Sequence, residues 1–270
     1  MKSSELKKEA LGKLSGNWSK AISITFFYAI IAFLSGFLIK LAGQFSNVLQ
    51  FITFIFLVPL LFGITVSIIK LVKGETVSVT AFIDIGLKNI SKVWSVHFNI
   101  FLKLLIPVIL MTVFLVVGIY LMFYSFPLDI DPTIDSFTSS SLIVIFAFIY
   151  ATIFGAIIAI LLIPYSLSLF ILYDNPDMSG KEIVNKSKEL MYGNKKKFVF
   201  LMFSFLGWFI LVSLITSIAN VFLDSNAADL LSYAQTVLLT PYITATQFIF
   251  YEYIKNRSEK SSSEETPVEN

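Results

Sequence analysis

The sequence predicts an all-α polytopic membrane protein with six transmembrane helices and both termini on the cytoplasmic side. Three observations predict it. Of 270 residues, 56% are hydrophobic and only 14% charged, and mean hydropathy is +0.82; soluble domains carry about 25% charged residues. Six stretches, 19 to 38 residues long, contain no charged side chain at all. Nineteen of the 20 basic residues fall in alternate connecting segments. A soluble enzyme, a nucleic-acid binder and a disordered chain are excluded by the first observation alone.

The charge-free windows are Ala21–Ile39, Leu41–Ile69, Leu104–Leu128, Ser136–Tyr173, Phe198–Leu223 and Leu230–Tyr251. About 20 apolar residues suffice to cross the roughly 30 Å hydrocarbon core as a helix. Barrel strands would alternate apolar and polar residues, and these windows are apolar all round. The first window is longer than a signal-peptide core and lacks a small-x-small cleavage site, so it reads as a retained span. The fourth is too long for one crossing: Leu142–Tyr173 would measure roughly 48 Å at 1.5 Å per residue. Pro164 divides it, giving a span over Leu142–Ile163 and a kinked extension over Pro164–Tyr173. Pro59, Pro107 and Pro241 lie inside other windows and read as tolerated kinks.

Lys40 is the one basic residue on the other side, where the loops carry Asp129, Asp131, Asp135, Asp224 and Asp229 instead. The positive-inside rule then makes both termini cytoplasmic.

Each cytoplasmic segment ahead of an odd-numbered span ends in Asn-x-(Ser/Lys)-Lys: Asn17-Trp18-Ser19-Lys20, Asn89-Ile90-Ser91-Lys92 and Asn194-Lys195-Lys196-Lys197. Gly16 and Gly193 immediately precede two of these asparagines, and Gly86 lies three before the third. A short helix is expected upstream of each. In Glu5–Ser15, Leu6, Ala10, Leu11 and Leu14 share a face. Ser179–Tyr192 opens with the capping box Ser179-x-x-Glu182 and stops at Gly193, placing Ile183, Val184, Leu190 and Met191 at helical spacing. Val79–Leu87 is a weaker middle copy. The expected organisation is three units of interfacial amphipathic helix, turn and membrane hairpin over residues 1–255, followed by a disordered cytoplasmic tail over residues 256–270. The alternative is that Asn and Gly merely cap helices while Lys anchors at headgroups.

Gly16-Asn17-Trp18, Tyr173-Asp174-Asn175-Pro176, Ser187-x-x-Leu190-Met191-x-Gly193-Asn194, Ser204-Phe205-Leu206-Gly207-Trp208, Pro241-Tyr242 and Phe250-Tyr251-Glu252-Tyr253 occur in this order. Together they resemble the uncharacterised bacterial membrane family called domain of unknown function 975, over roughly residues 3–255. The chain is also distantly similar to the membrane domains of some glycerophosphodiesterases, whose catalytic barrel it lacks. The resemblance implies a helical fold and a bacterial plasma-membrane location, and it implies no reaction.

No catalytic constellation stands out. There is no Cys, and His97 is the only histidine, so thiolate chemistry and paired imidazoles are excluded. No Asp or Glu lies inside the six windows, and phosphate-loop and dinucleotide motifs are absent. Asp129-Ile130-Asp131-x-x-x-Asp135 offers oxygen ligands without the turn Gly and distal Glu of a calcium loop. No cofactor or metal is expected. Candidate turn and interface residues are Asn17, Trp18, Lys20, Asn89, Lys92, Asn175, Pro176, Gly193, Asn194 and Lys197. Candidate helix-packing residues are the small stripe Ala151, Gly155 and Ala159, with Ser204, Gly207 and Trp208. Gln50, Asn220 and Gln247 are intramembrane polar residues that either line a path or join helices.

The expected function is that of a non-enzymatic structural or interaction partner in envelope upkeep, peptide export or peptide immunity. Its partners would be the lipid bilayer and a membrane protein or second copy, with no nucleic acid. A carrier or lipid-handling protein using the polar residues of spans two, five and six is the alternative.

Overall fold

The computed structural model describes residues 2–125, 136–222 and 225–264, and among them every regular element is helical. Helix α1 (Ser3–Leu14) precedes α2 (Trp18–Leu41), and a 3-10 turn at Gly43–Phe45 leads into α3 (Ser46–Val72). Then follow α4 (Ala81–Lys88), α5 (Ile90–Ser125) and α6 (Ser136–Leu162). After a 3-10 turn at Ile163–Tyr165 come α7 (Ser168–Asp174), α8 (Gly180–Leu190), α9 (Lys195–Phe203), α10 (Leu206–Phe222) and α11 (Ser225–Glu264).

Among the described residues five stretches are long and apolar enough to cross a membrane: Trp18–Leu41, Gly43–Val72, Ile90–Leu121, Ala147–Asp174 and Lys195–Ile218. They correspond to the first five charge-free windows, and the sixth window falls within α11. The helix of the fourth window breaks at Pro164, whose ring cannot continue the α-helical ladder. The outer-loop aspartates Asp129, Asp131, Asp135 and Asp224 lie outside the described residues. The tail expected to be disordered is helical as far as Glu264. Lys255, Arg257, Glu259 and Lys260 are strong helix formers, and they extend α11 beyond its apolar part.

Burial is concentrated at one end of the bundle, here termed the core end. α2 buries Ala21, Ile24, Thr25 and Ala29 from its first half, whereas α3 buries Pro59 to Val72 from its second. Phe248, Phe250 and Tyr251 of α11 fill the centre, with α1, α7 and α8 packed around them and α4 lying against α3. At the opposite, far end, large apolar side chains such as Phe37, Phe51, Phe114 and Leu214 are exposed.

The three short helices form where periodicity and capping predict, but protein covers their apolar faces. Leu6, Ala10 and Leu14 of α1 are buried, while Leu11, expected on the same face, is 44% exposed. α8 starts at Ser179, whose hydroxyl accepts from the Glu182 backbone while the Glu182 carboxylate accepts from the Ser179 N–H at 2.8 Å. Ile183, Val184 and Met191 then enter the core. Buried protein contacts replace the headgroup contacts expected of interfacial helices. Each fully buried Leu or Ile outside the bilayer contributes about 1.5–3 kcal/mol.

The closest helix crossings involve glycines. A side chain at Gly63 of α3 would overlap the Phe82 carbonyl of α4, and one at Gly86 of α4 would lie 2.7 Å from the Pro59 carbonyl oxygen. A side chain at Gly180 would overlap Ser95 of α5.

Candidate functional site

The three asparagine turns sit at the core end and share one geometry. Asn17, Asn89 and Asn194 have φ of −113°, −106° and −106° and ψ of 4°, 12° and −7°. Each backbone N–H donates to a carbonyl three residues back (Leu14, Gly86, Met191), and each carbonyl accepts from the residue four ahead (Ala21, Val93, Phe198). All six of those partners are buried. The side chains of Asn89 and Asn194 also donate back, to Ile85 at 2.9 Å and Leu190 at 3.0 Å. Asn175 makes the same bond to Ile171 at 3.2 Å. Gly16 and Gly193 adopt φ of 80° and 73°, a left-handed conformation that costs glycine least. Gly86 does not; its role is the close approach to α3.

Two of the motifs meet where Lys92 donates to the Pro176 carbonyl at 2.7 Å. Lys20 is exposed. Lys197 lines a depression of about 390 Å³ with Glu189, Gly193, Asn194 and Arg257. Trp18 packs edge-on to Tyr242, with ring centroids 6.3 Å apart, and Tyr242 does the same to Phe205 at 5.2 Å. Lys7 stands over the Phe205 ring and donates to the Ser204 carbonyl at 3.0 Å.

Sequence reasoning missed a second cluster. Tyr251 donates its hydroxyl to Asp174 Oδ2 at 2.8 Å, and Lys255 donates to the same oxygen at 2.6 Å. Phe170 stacks on Tyr251 at 5.9 Å, and the Lys73 ammonium lies 4.8 Å from the Tyr173 ring centroid and 5.4 Å from that of Phe248. The carboxylate is 15% exposed and ties the end of α7 to α11. Its signal was present: Asp174 closes the fourth window, Tyr251 closes the sixth, and Lys255 follows one helical turn later.

Among the described residues the expected packing stripe makes no close helix contact. Ala151, Gly155 and Ala159 are exposed, and a side chain at Gly155 would meet nothing within 4 Å. Ser204, Gly207 and Trp208 are likewise exposed. Among the described residues the glycines that bring backbones together are Gly63, Gly86 and Gly180.

The polar residues do not gather. Gln247 donates to Met202 Sδ at 3.3 Å. Gln50 lines a cleft of about 650 Å³ between α2 and α3, with Asn47, Thr53 and Tyr28. The Asn220 side chain lies outside the described residues. His97 donates from Nδ1 to the Val93 carbonyl of its own helix at 2.8 Å. Glu182 is held below the usual carboxylate range by the hydrogen bonds from the Ser179 backbone and hydroxyl. Among the described residues no three His, Asp or Glu side chains gather as metal ligands would.

A family model described as "Protein of unknown function (DUF975)" matches residues 1–258. No curated protein and no solved structure matches the chain.

Proposed function

Since the chain belongs to DUF975, a family of unknown function, we propose its role from geometry: a non-catalytic plasma-membrane protein that presents a rigid cytoplasmic surface to another membrane protein. It crosses the bilayer six times, α11 supplying the sixth span, with both termini inside. The repeat unit is a short helix, an asparagine turn and a membrane hairpin. Support for the sidedness comes from the basic residues, of which Lys40 alone belongs to the far end.

The observation carrying the interaction reading is the outward face of the short helices. Tyr192, two residues before Asn194, is 85% exposed, and Leu87, two before Asn89, is 42% exposed. Both stand among lysines at the headgroup level of the core end, where an aromatic or aliphatic side chain has a partner or the interface itself to contact. A photoreactive amino acid at Leu87 or Tyr192 in living cells should crosslink to one recurrent membrane protein or to a second copy. Adducts to lipid alone would refute this reading.

A second reading, a carrier or lipid-handling protein, is favoured by Gln50 at the cleft. Uptake or flipping by purified protein in liposomes, lost in Gln50→Ala, would promote it over the first.

A further inference from the structure

We infer that the cleft between α2 and α3 is a binding site for one neutral lipid of the diacylglycerol type, taken from the leaflet at the far end. This rests on the six-span reading and deepens the lipid-handling one.

The cleft is open to the side, and its volume of about 650 Å³ matches the roughly 300–1,000 Å³ of small-molecule sites. Its wall on α3 is a single helical stripe: Asn47, Gln50, Phe51, Phe54, Leu57, Val58 and Leu61 recur three and four residues apart. From Asn47 to Leu61 the stripe descends about 21 Å at 1.5 Å per residue. One leaflet with its headgroup layer is about 20–22 Å thick. The cleft therefore runs from the far-end surface to the bilayer centre.

Polarity changes along that descent as it does along a lipid. Asn47, Gln50 and Thr53 stand at the mouth, and apolar side chains occupy the depth, where the Tyr28 ring packs on Phe82 at 6.5 Å. None of the three mouth side chains has a hydrogen-bond partner among the described residues, and neither does the Tyr28 hydroxyl. Asn47 and Gln50 are exposed at that mouth, so their donors and acceptors are open to the polar groups of a lipid entering the cleft. Two carboxamides and a hydroxyl match ester carbonyls and a free hydroxyl. No charged side chain lines the cleft, so nothing in it rewards a phosphate. An acyl chain passes Phe51 and Phe54 and fills the apolar depth along Leu57, Val58 and Leu61.

The test uses the full chain in phosphatidylcholine vesicles carrying a diacylglycerol with a photoreactive group in one acyl chain. Adducts should map to residues 28–39 and 47–61, and excess unlabelled diacylglycerol should compete them away. Asn47→Leu with Gln50→Leu should lower that labelling about tenfold, the loss of two or so hydrogen bonds to the ligand. Leu57→Trp, which fills the depth and leaves the mouth intact, should lower it similarly if the double variant fails to fold. Adducts spread over α5 and α6 and not competed would mean boundary lipid only and would overturn the site. Equal, competable labelling by a photoreactive phosphatidylglycerol would overturn the neutral head. Sidedness is read separately by impermeant maleimide on single cysteines, so a wrong topology and an unused cleft give different results.

Discussion

The indole N–H of Trp94 donates to the backbone carbonyl of Ile55 at 3.1 Å, and Ile55 is the residue whose helical partner would be Pro59, four positions on. Proline has no N–H to give, so α5 supplies the donor that α3 lacks. The same solution recurs at the other packed proline. Pro241 leaves the Val237 carbonyl without its helical donor, and the Thr25 hydroxyl of α2 reaches it at 2.8 Å. At both prolines the carbonyl that loses its helical donor is thus tied to a neighbouring helix.

This coupling can be measured. Trp94→Phe should destabilise the protein by about 1–2 kcal/mol, because a partly buried carbonyl loses the indole donor that replaces its helical one. In a Pro59→Ala background the helix can make that bond itself, and the cost of Trp94→Phe should shrink to the loss of packing. Thr25→Val should behave alike with and without Pro241→Ala. Thermal melts in detergent test both cycles, and purely additive effects would show that the bonds carry no such coupling.

The glycine crossing gives a second expectation. Gly63→Ala should lower the melting temperature sharply, since the new methyl would meet the backbone of α4, which cannot rotate away. Gly155→Leu should leave the monomer's melt unchanged, because that position opens into free space. A loss of stability in Gly155→Leu would mean that the Ala151–Ala159 stripe packs against a second copy.

At the Asp174 cluster the effects should be graded. Asp174→Asn should cost about 2–3 kcal/mol and Tyr251→Phe about 1.5 kcal/mol, because the first change weakens both bonds to the shared carboxylate oxygen and the second removes one. Removing Lys255 as well, in Asp174→Asn with Lys255→Met, should cost less than the two single changes added together. Urea titration in mild detergent reads all three, and an Asp174→Asn variant as stable as the parent would deny the carboxylate its role as a tie.

Topology is testable with cysteines, since the chain has none of its own. Ser78→Cys and Lys181→Cys lie at exposed positions of the core end and should react with impermeant maleimide only after the membrane is opened. Asp131→Cys should react on intact cells. Ser187 is a poor reporter, being fully buried and donating to the Pro164 carbonyl at 2.9 Å. Labelling of Lys181→Cys from outside would overturn the six-span arrangement.

Much of the fold was legible because it follows from local rules. An uncharged window, a proline that breaks a helix, and Ser179 with Glu182 three residues later each act within one or two turns, so the chain displays them directly. Faces of the short helices were legible too, apart from Leu11, which the packing of α1 against its neighbours turns outward. What stayed hidden depends on which helices meet. Gly63 and Gly86 are unremarkable in sequence until α3 and α4 cross, whereas Ala151-x-x-x-Gly155-x-x-x-Ala159 has the better pattern and meets no partner among the described residues. Asp174 and Tyr251 are 77 residues apart, and no periodicity links them. Trp94 belongs to no motif in the sequence, and its role shows only where α5 brings it to the carbonyl that Pro59 leaves open.

The place of α11 in the core has a consequence for biosynthesis. Thr25 and Val237 are separated by 212 residues, and Lys7 and Ser204 by 197. The first two helices leave the ribosome with half of their eventual contacts still unsynthesised. Earlier helices can enter the bilayer one after another, but the core-end packing closes only when Phe248, Phe250 and Tyr251 arrive. Translation stalled before residue 237 would leave inserted helices around an empty centre, with Thr25 unbonded to Val237 and Asp174 without Tyr251 and Lys255. Maturation is therefore a single late event after insertion, and membrane proteases have until that moment to tell an unfinished chain from a finished one.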